Sequence, residues 1–142
     1  MSRNLIHTLF VAALSFGSLT AFADAGEPAI DGYCPVAYVA ADKALKGSPE
    51  FTVEHDGHTW QFVSEDAKAM YEKNPEAYEV GYDGWCATAV AFGQKVAADP
   101  SIFSVYEGET YLFSNTDAKA TFDADPGSFV KKADKAWKKL SR

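Results

Sequence analysis

The chain reads as an α+β fold of two pseudo-symmetric repeats, each a β-hairpin followed by a helix, with a further helix at the C-terminus. Three observations predict it. Asp31-Gly32-Tyr33-Cys34 returns as Asp83-Gly84-Trp85-Cys86, and these motifs hold the only 2 cysteines of the 142-residue sequence. Two stretches alternate apolar and polar residues around a two-residue turn, the pattern of a half-buried hairpin. After each of them come the same helix start and stop signals.

The first 23 residues are expected to be an export signal outside the fold. Arg3 supplies the positive start, Leu9 to Leu19 the apolar stretch, and Ala21-Phe22-Ala23 the small-residue cleavage site. Ser15, Gly17 and Ser18 interrupt that stretch, which is too short to span a bilayer stably. Cleavage after Ala23 leaves 24–142 as one domain, with repeat one at about 31–79, repeat two at about 83–130 and the last helix at about 128–140. The mature protein is expected in a bacterial periplasm, without membrane insertion.

The repeat runs well beyond its cysteines. Ala37 matches Ala89, Lys43 matches Lys95, Phe51 matches Phe103 and Val53 matches Val105. The spacing then shortens by one residue, and Gly57 matches Gly108, Thr59 Thr110, Trp60 Tyr111 and Phe62 Phe113. Asp66-Ala67-Lys68-Ala69 continues the series as Asp117-Ala118-Lys119-Ala120, followed by Tyr71 with Phe122 and Pro75 with Pro126. Duplication of one unit accounts for this, with the one-residue slip expected in a turn, where deletions are tolerated.

Each element follows from local chemistry. Phe51 to His55 and His58 to Phe62 flank Asp56-Gly57, while Ile102 to Tyr106 and Glu109 to Phe113 flank Glu107-Gly108. Such pairs favour the positive φ angles of tight hairpins. Both hairpins are expected to bury Phe with Trp or Tyr on one face. Ser64 and Asn115 are favoured N-caps, with Asp66 and Asp117 placed to complement the helix dipole. Asn74-Pro75 and Asp125-Pro126 end these helices, because a residue before proline avoids the helical region. Phe129, Ala133, Trp137 and Leu140 line one face of the last helix, with Lys131, Lys132, Lys135, Lys138 and Lys139 solvated opposite.

With 47% apolar and 14% aromatic residues, the domain is expected to be well packed. The net charge of −7 argues against nucleic acid and anionic membranes as partners, both of which require a basic footprint. The sequence carries no H-E-x-x-H, nucleophile elbow, C-x-x-C or phosphate-cradling glycine loop, so an enzyme is the weaker class.

Function is then read from Cys34 and Cys86. The small-residue stretches that follow, Pro35 to Tyr38 and Ala87 to Phe92, are expected to begin short helices, with each thiol at an N-terminus where it would be more thiolate-like. Tyr33 and Trp85 would be the symmetric walls of a pocket if the sulfurs line one. His55 and His58, read as alternate-face positions near a hairpin tip, are expected in solvent, as weak candidates for binding a metal between molecules. Met70, on a helix, is expected to be buried.

Pro35-Val36-Ala37, Gly57-His58-Thr59-Trp60-Gln61-Phe62, Ser64-Glu65-Asp66-Ala67-Lys68 and Asn74-Pro75-Glu76-Ala77-Tyr78 together resemble the YHS domain family, small metal-associated modules related to the zinc-binding TRASH domains. Gly32-Tyr33-Cys34-Pro35-Val36-Ala37-Tyr38, Lys46-Gly47-Ser48-Pro49-Glu50-Phe51 and Gly84-Trp85-Cys86-Ala87 are similar to its exported bacterial branch, and the resemblance covers nearly all of 24–142. Metal-binding members of the wider family have cysteines where this chain has Ala37, Val63 and Ala67, and in the second copy Ala89, Ser114 and Ala118. The family's thiol cage therefore does not transfer.

In the exported branch Cys86 has its counterpart, whereas the position of Cys34 is more often aspartate. A second sulfur in place of an oxygen ligand favours Cu(I) or another thiophilic ion. The resemblance thus implies a periplasmic soft-metal carrier or buffer using Cys34 and Cys86, with a metal-transfer protein as partner. Two alternatives stay open: an interaction module stapled by a Cys34–Cys86 disulfide, and a thiol redox protein.

Overall fold

The computed structural model describes residues 26–142. The export signal expected at 1–23 lies outside them. The fold is α+β, with each hairpin followed by a helix and a further helix at the C-terminus. In repeat one, α1 (Pro35–Ala41) precedes the antiparallel strands β1 (Ser48–His55) and β2 (His58–Phe62), and α2 (Glu65–Lys73) follows. Repeat two has α3 (Ala87–Ala91), β3 (Asp99–Tyr106), β4 (Glu109–Phe113) and α4 (Thr116–Ala124), and α5 (Pro126–Leu140) completes it.

Turn and cap chemistry act as the sequence indicates. Asp56 and Gly57 have φ of 50° and 76°, and Glu107 and Gly108 have 51° and 81°, so both hairpins close through left-handed pairs. Ser64 Oγ accepts from the Ala67 N–H at 3.1 Å and Asn115 Oδ1 accepts from the Ala118 N–H at 2.8 Å. Each bond satisfies one of the donors that a helix start leaves open. The strands begin earlier than the alternation suggests, because a register irregularity between Ser48 and Thr52, and another between Asp99 and Phe103, lets each strand resume pairing.

The strand pairing also corrects the register of the repeat. Val53 pairs with Trp60, and Ser104 pairs with Tyr111, so Val53 is equivalent to Ser104 and not to Val105. Likewise Thr52 stands where Phe103 stands. The slip lies upstream, after α1 and α3. Lys43 N–H donates to Ala37 O as Gln94 N–H donates to Ala89 O, so Lys43 is equivalent to Gln94 and not to Lys95. The extra residue of repeat one is absorbed where α1 ends at left-handed Asp42, against Gly93 after α3. A helix end tolerates one more residue, whereas a slip within a hairpin would turn every side chain to the other face.

Each repeat has its own core. Phe62, Ala67 and Tyr71 with Val36 and Ala37 form the first; Tyr111, Phe113 and Phe122 with Ala87 and Val90 form the second. α5 packs chiefly on α3. Its Ala133 is buried and Phe129, Trp137 and Leu140 join the second core, with the five lysines exposed opposite, as their spacing indicates. Tyr38 of α1 ties the halves together: its hydroxyl donates to Pro100 O at 2.7 Å and its ring lies 4.8 Å from that of Phe103. Met70 is not buried as expected but is 43% exposed, because α2 presents Ala67 and Tyr71 inward and no second layer covers its outer face among the described residues.

Candidate functional site

Cys34 and Cys86 are the N-cap residues of α1 and α3, where the sequence expects them. Their backbone N–H groups donate to equivalent carbonyls, Cys34 to Leu45 O at 2.8 Å and Cys86 to Val96 O at 2.9 Å. Both thiols are free and buried, at 0% and 1% exposure. Each belongs to its own core: Cys34 packs in the cluster of Phe62 and Tyr71, Cys86 in that of Tyr111 and Phe122. Tyr33 and Trp85 are half-buried beside them, each ring under an ammonium, Lys46 at 4.8 Å and Lys95 at 5.8 Å. Among the described residues, no group of three or more His, Cys, Asp and Glu is arranged to hold a metal ion.

The turns before the cysteines explain much of the repeated motif. Ile30, Asp31 and Gly32 have φ of 47°, 54° and 78°, and Tyr82, Asp83 and Gly84 have 55°, 52° and 82°. Three consecutive left-handed residues require glycine and favour aspartate, so Asp-Gly recurs for backbone reasons independent of the thiol. The turns also approach one another: a Cβ on Gly84 would lie 3.1 Å from Ile30 Cγ2. Holding β-branched Ile30 and bulky Tyr82 at positive φ is unfavourable by about 1–3 kcal/mol each.

Beside these turns lies a cleft of about 550 Å³, built from both repeats. Repeat one contributes Trp60, Tyr71 and Tyr78 with the two histidines; repeat two contributes Tyr82 and Glu109, and α5 contributes Asp134 and Trp137. Hairpin pairing sets His55 directly opposite His58, so both lie on one face and not on alternate faces. His55 is half-buried, its ring 5.8 Å from that of Tyr71, while His58 is exposed with its ring 6.2 Å from that of Trp60. Tight two-residue turns make flanking residues cross-strand partners, and partners share a face.

Five carboxylates line the cleft, Asp56, Glu79, Asp83, Glu109 and Asp134, and among the described residues no Lys or Arg does. Tyr111 donates its hydroxyl to Glu109 Oε2 at 3.0 Å and Tyr82 donates to Asp134 Oδ1 at 2.9 Å. Desolvation against the cleft wall raises the Glu109 carboxyl above its ordinary range, and the charges of Asp134 and Glu79 add to this while the Tyr111 bond opposes it. Burial, and then the charges of Asp56 and Glu79, push the Tyr71 phenol up to about 12. Burial and the Asp134 bond likewise raise Tyr82. The cleft therefore has aromatic walls and an excess of carboxylates, with His55 Nε2 lying 3.3 Å from Asp56 Oδ2. None of its repeat-two residues was singled out in the sequence as a site residue; Tyr82-Asp83-Gly84 was the one available signal, as a turn that places two lining residues.

No family model matches the chain, and no curated protein or solved structure matches it either.

Proposed function

We propose that this is an exported binding protein whose inter-repeat cleft takes a small, positively charged organic ligand. The observation that carries this reading is the lining itself: aromatic faces from both repeats and five carboxylates against two histidines and, among the described residues, no Lys or Arg, around about 550 Å³. Binding pockets of this size combine apolar walls with a few convergent polar groups. Aromatic faces attract cations, and carboxylates whose charges repel one another gain when a cation neutralises them. Trp60 and Trp137 line the cleft and Trp85 does not, so ligand entry should change the emission of two of the chain's 3 tryptophans. Titration with tetramethylammonium and with an alkylammonium should shift that emission and release heat, while acetate should do neither. The reading fails if no cation is bound, or if acetate is bound equally well.

A second reading, a periplasmic soft-metal carrier of YHS type, is favoured by the two thiols being unbonded, buried and repeat-equivalent. Cys34 and Cys86 pack in separate clusters, so a Cu(I) ion shared by both should alter the native packing around Phe62 and Phe113. Anaerobic Cu(I) titration against a competing chelator tests this. Cys34→Ser and Cys86→Ser should each abolish high-affinity binding; equal affinity of both variants and wild type removes the reading.

A further inference from the structure

α5 has a recess of opposite charge on each side. Asp134 and Trp137 line the carboxylate-rich cleft, whereas Lys132, Lys135, Ala136, Lys139 and Leu140 line a second groove of about 440 Å³, with Ala91 and Gly93 from the end of α3. At about 100° per residue the two sets fall on opposed sides of the helix, with buried Ala133 between them. Among the described residues no Asp or Glu lines the groove.

The groove follows from how α3 ends. That helix stops after 5 residues, where the Gly93 N–H donates to Val90 O at 2.8 Å and the Gln94 N–H to Ala89 O at 3.0 Å, with Gly93 at a φ of 79°. α5 runs for 15 residues, so α3 is too short to cover all of that face, and Ala136 and Leu140 stay part-buried. Phe92, between the two α3 residues of the groove, is 69% exposed and extends the bare apolar surface.

The lysines differ in how far they are engaged. Lys132 Nζ lies 5.7 Å from the centre of the Phe129 ring, and its charge acts on Asp125. Lys135 and Lys139 form no salt bridge among the described residues. They stand about one turn apart on one face, roughly 6 Å along the axis. Such stems lie along apolar surface while their heads reach outward.

We propose that this groove is a second binding site, for a single-chain amphipathic anion of the alkyl carboxylate class, with its head group on the ammonium groups of Lys135 and Lys139 and its tail on Ala91, Ala136 and Leu140 beside Phe92. A carboxylate only accepts hydrogen bonds and an ammonium only donates them, so the heads match. A small mineral anion would leave the apolar floor bare, and a neutral hydrocarbon would leave the ammonium groups unmatched. Lys132 to Leu140 covers about 12 Å of helix, which suits a medium-length chain. The net charge of −7 disfavours an anionic bilayer as the source, so the ligand is the free amphiphile. The site is independent of what the cleft on the other side of α5 binds.

Isothermal titration of the full chain with octanoate should show one saturable site. Acetate and inorganic phosphate lack the tail and should not bind, while octan-1-ol lacks the charge and should bind at least about fivefold more weakly. Lys135→Gln/Lys139→Gln should weaken octanoate binding at least about fivefold; Lys131→Gln/Lys138→Gln, which removes equal charge outside the groove, should stay within about twofold. All four lysines are exposed, and unchanged melting would verify that both variants fold. Equal losses in the two variants, or octanol binding as tightly as octanoate to wild type, overturn the site. Displacement of octanoate by tetramethylammonium would place it in the cleft and also overturn the proposal. So would cosedimentation with phosphatidylglycerol vesicles that only Lys135→Gln/Lys139→Gln abolishes, since the groove would then be a membrane contact. The comparison of octanoate with octanol uses wild type alone.

Discussion

Tyr71 in the first repeat and Phe122 in the second stand at the same place, the inward helix residue onto which the hairpin aromatics pack. Phe122 is enclosed by Tyr111, Phe113 and Phe129, at ring distances of 5.2, 5.1 and 6.2 Å. Tyr71 meets Phe62 at 5.0 Å, but its other neighbours, Trp60, His55 and Tyr78, are cleft residues. The strands differ in the same sense. β4 is buried from Thr110 to Phe113, whereas β2 has only Phe62 buried. The difference comes from what covers each copy: α5 closes the second core, and the segment from Val80 to Cys86 runs beside β4, bridging Thr110 and Leu112. One duplicated unit has thus become a sealed half and a half with an aromatic face left over for the cleft. A hydroxyl on Tyr71 is compatible with the second situation and would be stranded in the first.

Truncating the two hubs should expose this difference most strongly. Phe122→Ala is expected to lose about 3–5 kcal/mol, the range for a large aromatic removed from a closed core. Tyr71→Ala should lose less, about 2–3 kcal/mol, because water from the cleft can enter the space and part of the cavity term disappears. Urea denaturation of both variants makes the comparison; equal losses would remove the distinction between a sealed and an open half.

Gly47 sharpens it at the backbone. A Cβ there would lie 2.5 Å from the Gln61 carbonyl carbon, and the Gly47 N–H donates to Gly32 O at 2.8 Å, so loop and hairpin are in direct backbone contact. The equivalent residue of repeat two is Ala98, which already has a Cβ. Gly47→Ala should therefore cost about 2–3 kcal/mol, as overpacking against an atom that cannot rotate away, while Ala98→Gly should cost under about 1 kcal/mol. A fully stable Gly47→Ala protein would mean that the first hairpin is no more tightly held than the second.

These contrasts mark what could be read from sequence. Hairpins, caps and stops were legible because Asp56-Gly57, Ser64 and Asn74-Pro75 act on neighbouring backbone, and the amphipathic face of α5 because its period is local. The register of the duplication was misread between Lys43 and Val53, since chance identities carry no information about which end of an element absorbs an insertion. The facing pair His55 and His58 required strand geometry, and the exposure of Met70 required knowing what lies outside α2. The cleft was illegible for a different reason: His55, Tyr71, Tyr82, Glu109 and Asp134 meet only when two repeats and α5 dock. The repeated motif drew notice to its cysteines, whereas its Asp-Gly and the residues before them shape the cleft.

Thr110 offers a smaller test of the sealed half. Its hydroxyl is fully buried and without a hydrogen-bond partner among the described residues, while its equivalent Thr59 is half-buried. Thr110→Val keeps the shape, suits a strand and removes an unsatisfied polar group, so a gain of about 1 kcal/mol is expected. Thr59→Val should change stability by less than about 0.5 kcal/mol, since its hydroxyl can reach water. Destabilisation by Thr110→Val would reveal that a partner such as a bound water satisfies that hydroxyl.

Glu109 gives the smallest effect and links the halves to binding. Desolvation, with the charges of Asp134 and Glu79, raises its carboxyl in the folded protein, so the native state binds this proton more tightly than the unfolded chain does. Charged Glu109 therefore weakens the fold at neutral pH, and that penalty fades as pH falls through the raised value. Glu109→Gln, which still offers Tyr111 an acceptor, should melt slightly higher than wild type at neutral pH, and the difference should vanish in mild acid. Cation binding must move in the opposite direction. It needs the charged carboxylate, so wild-type affinity should begin to fall above the ordinary carboxylate range, while the Gln variant should bind more weakly at neutral pH and lack that upper part of the fall. Calorimetric titration of an alkylammonium across this range separates the outcomes: parallel pH profiles for the two proteins would exclude Glu109 from the cation site, whatever its effect on melting.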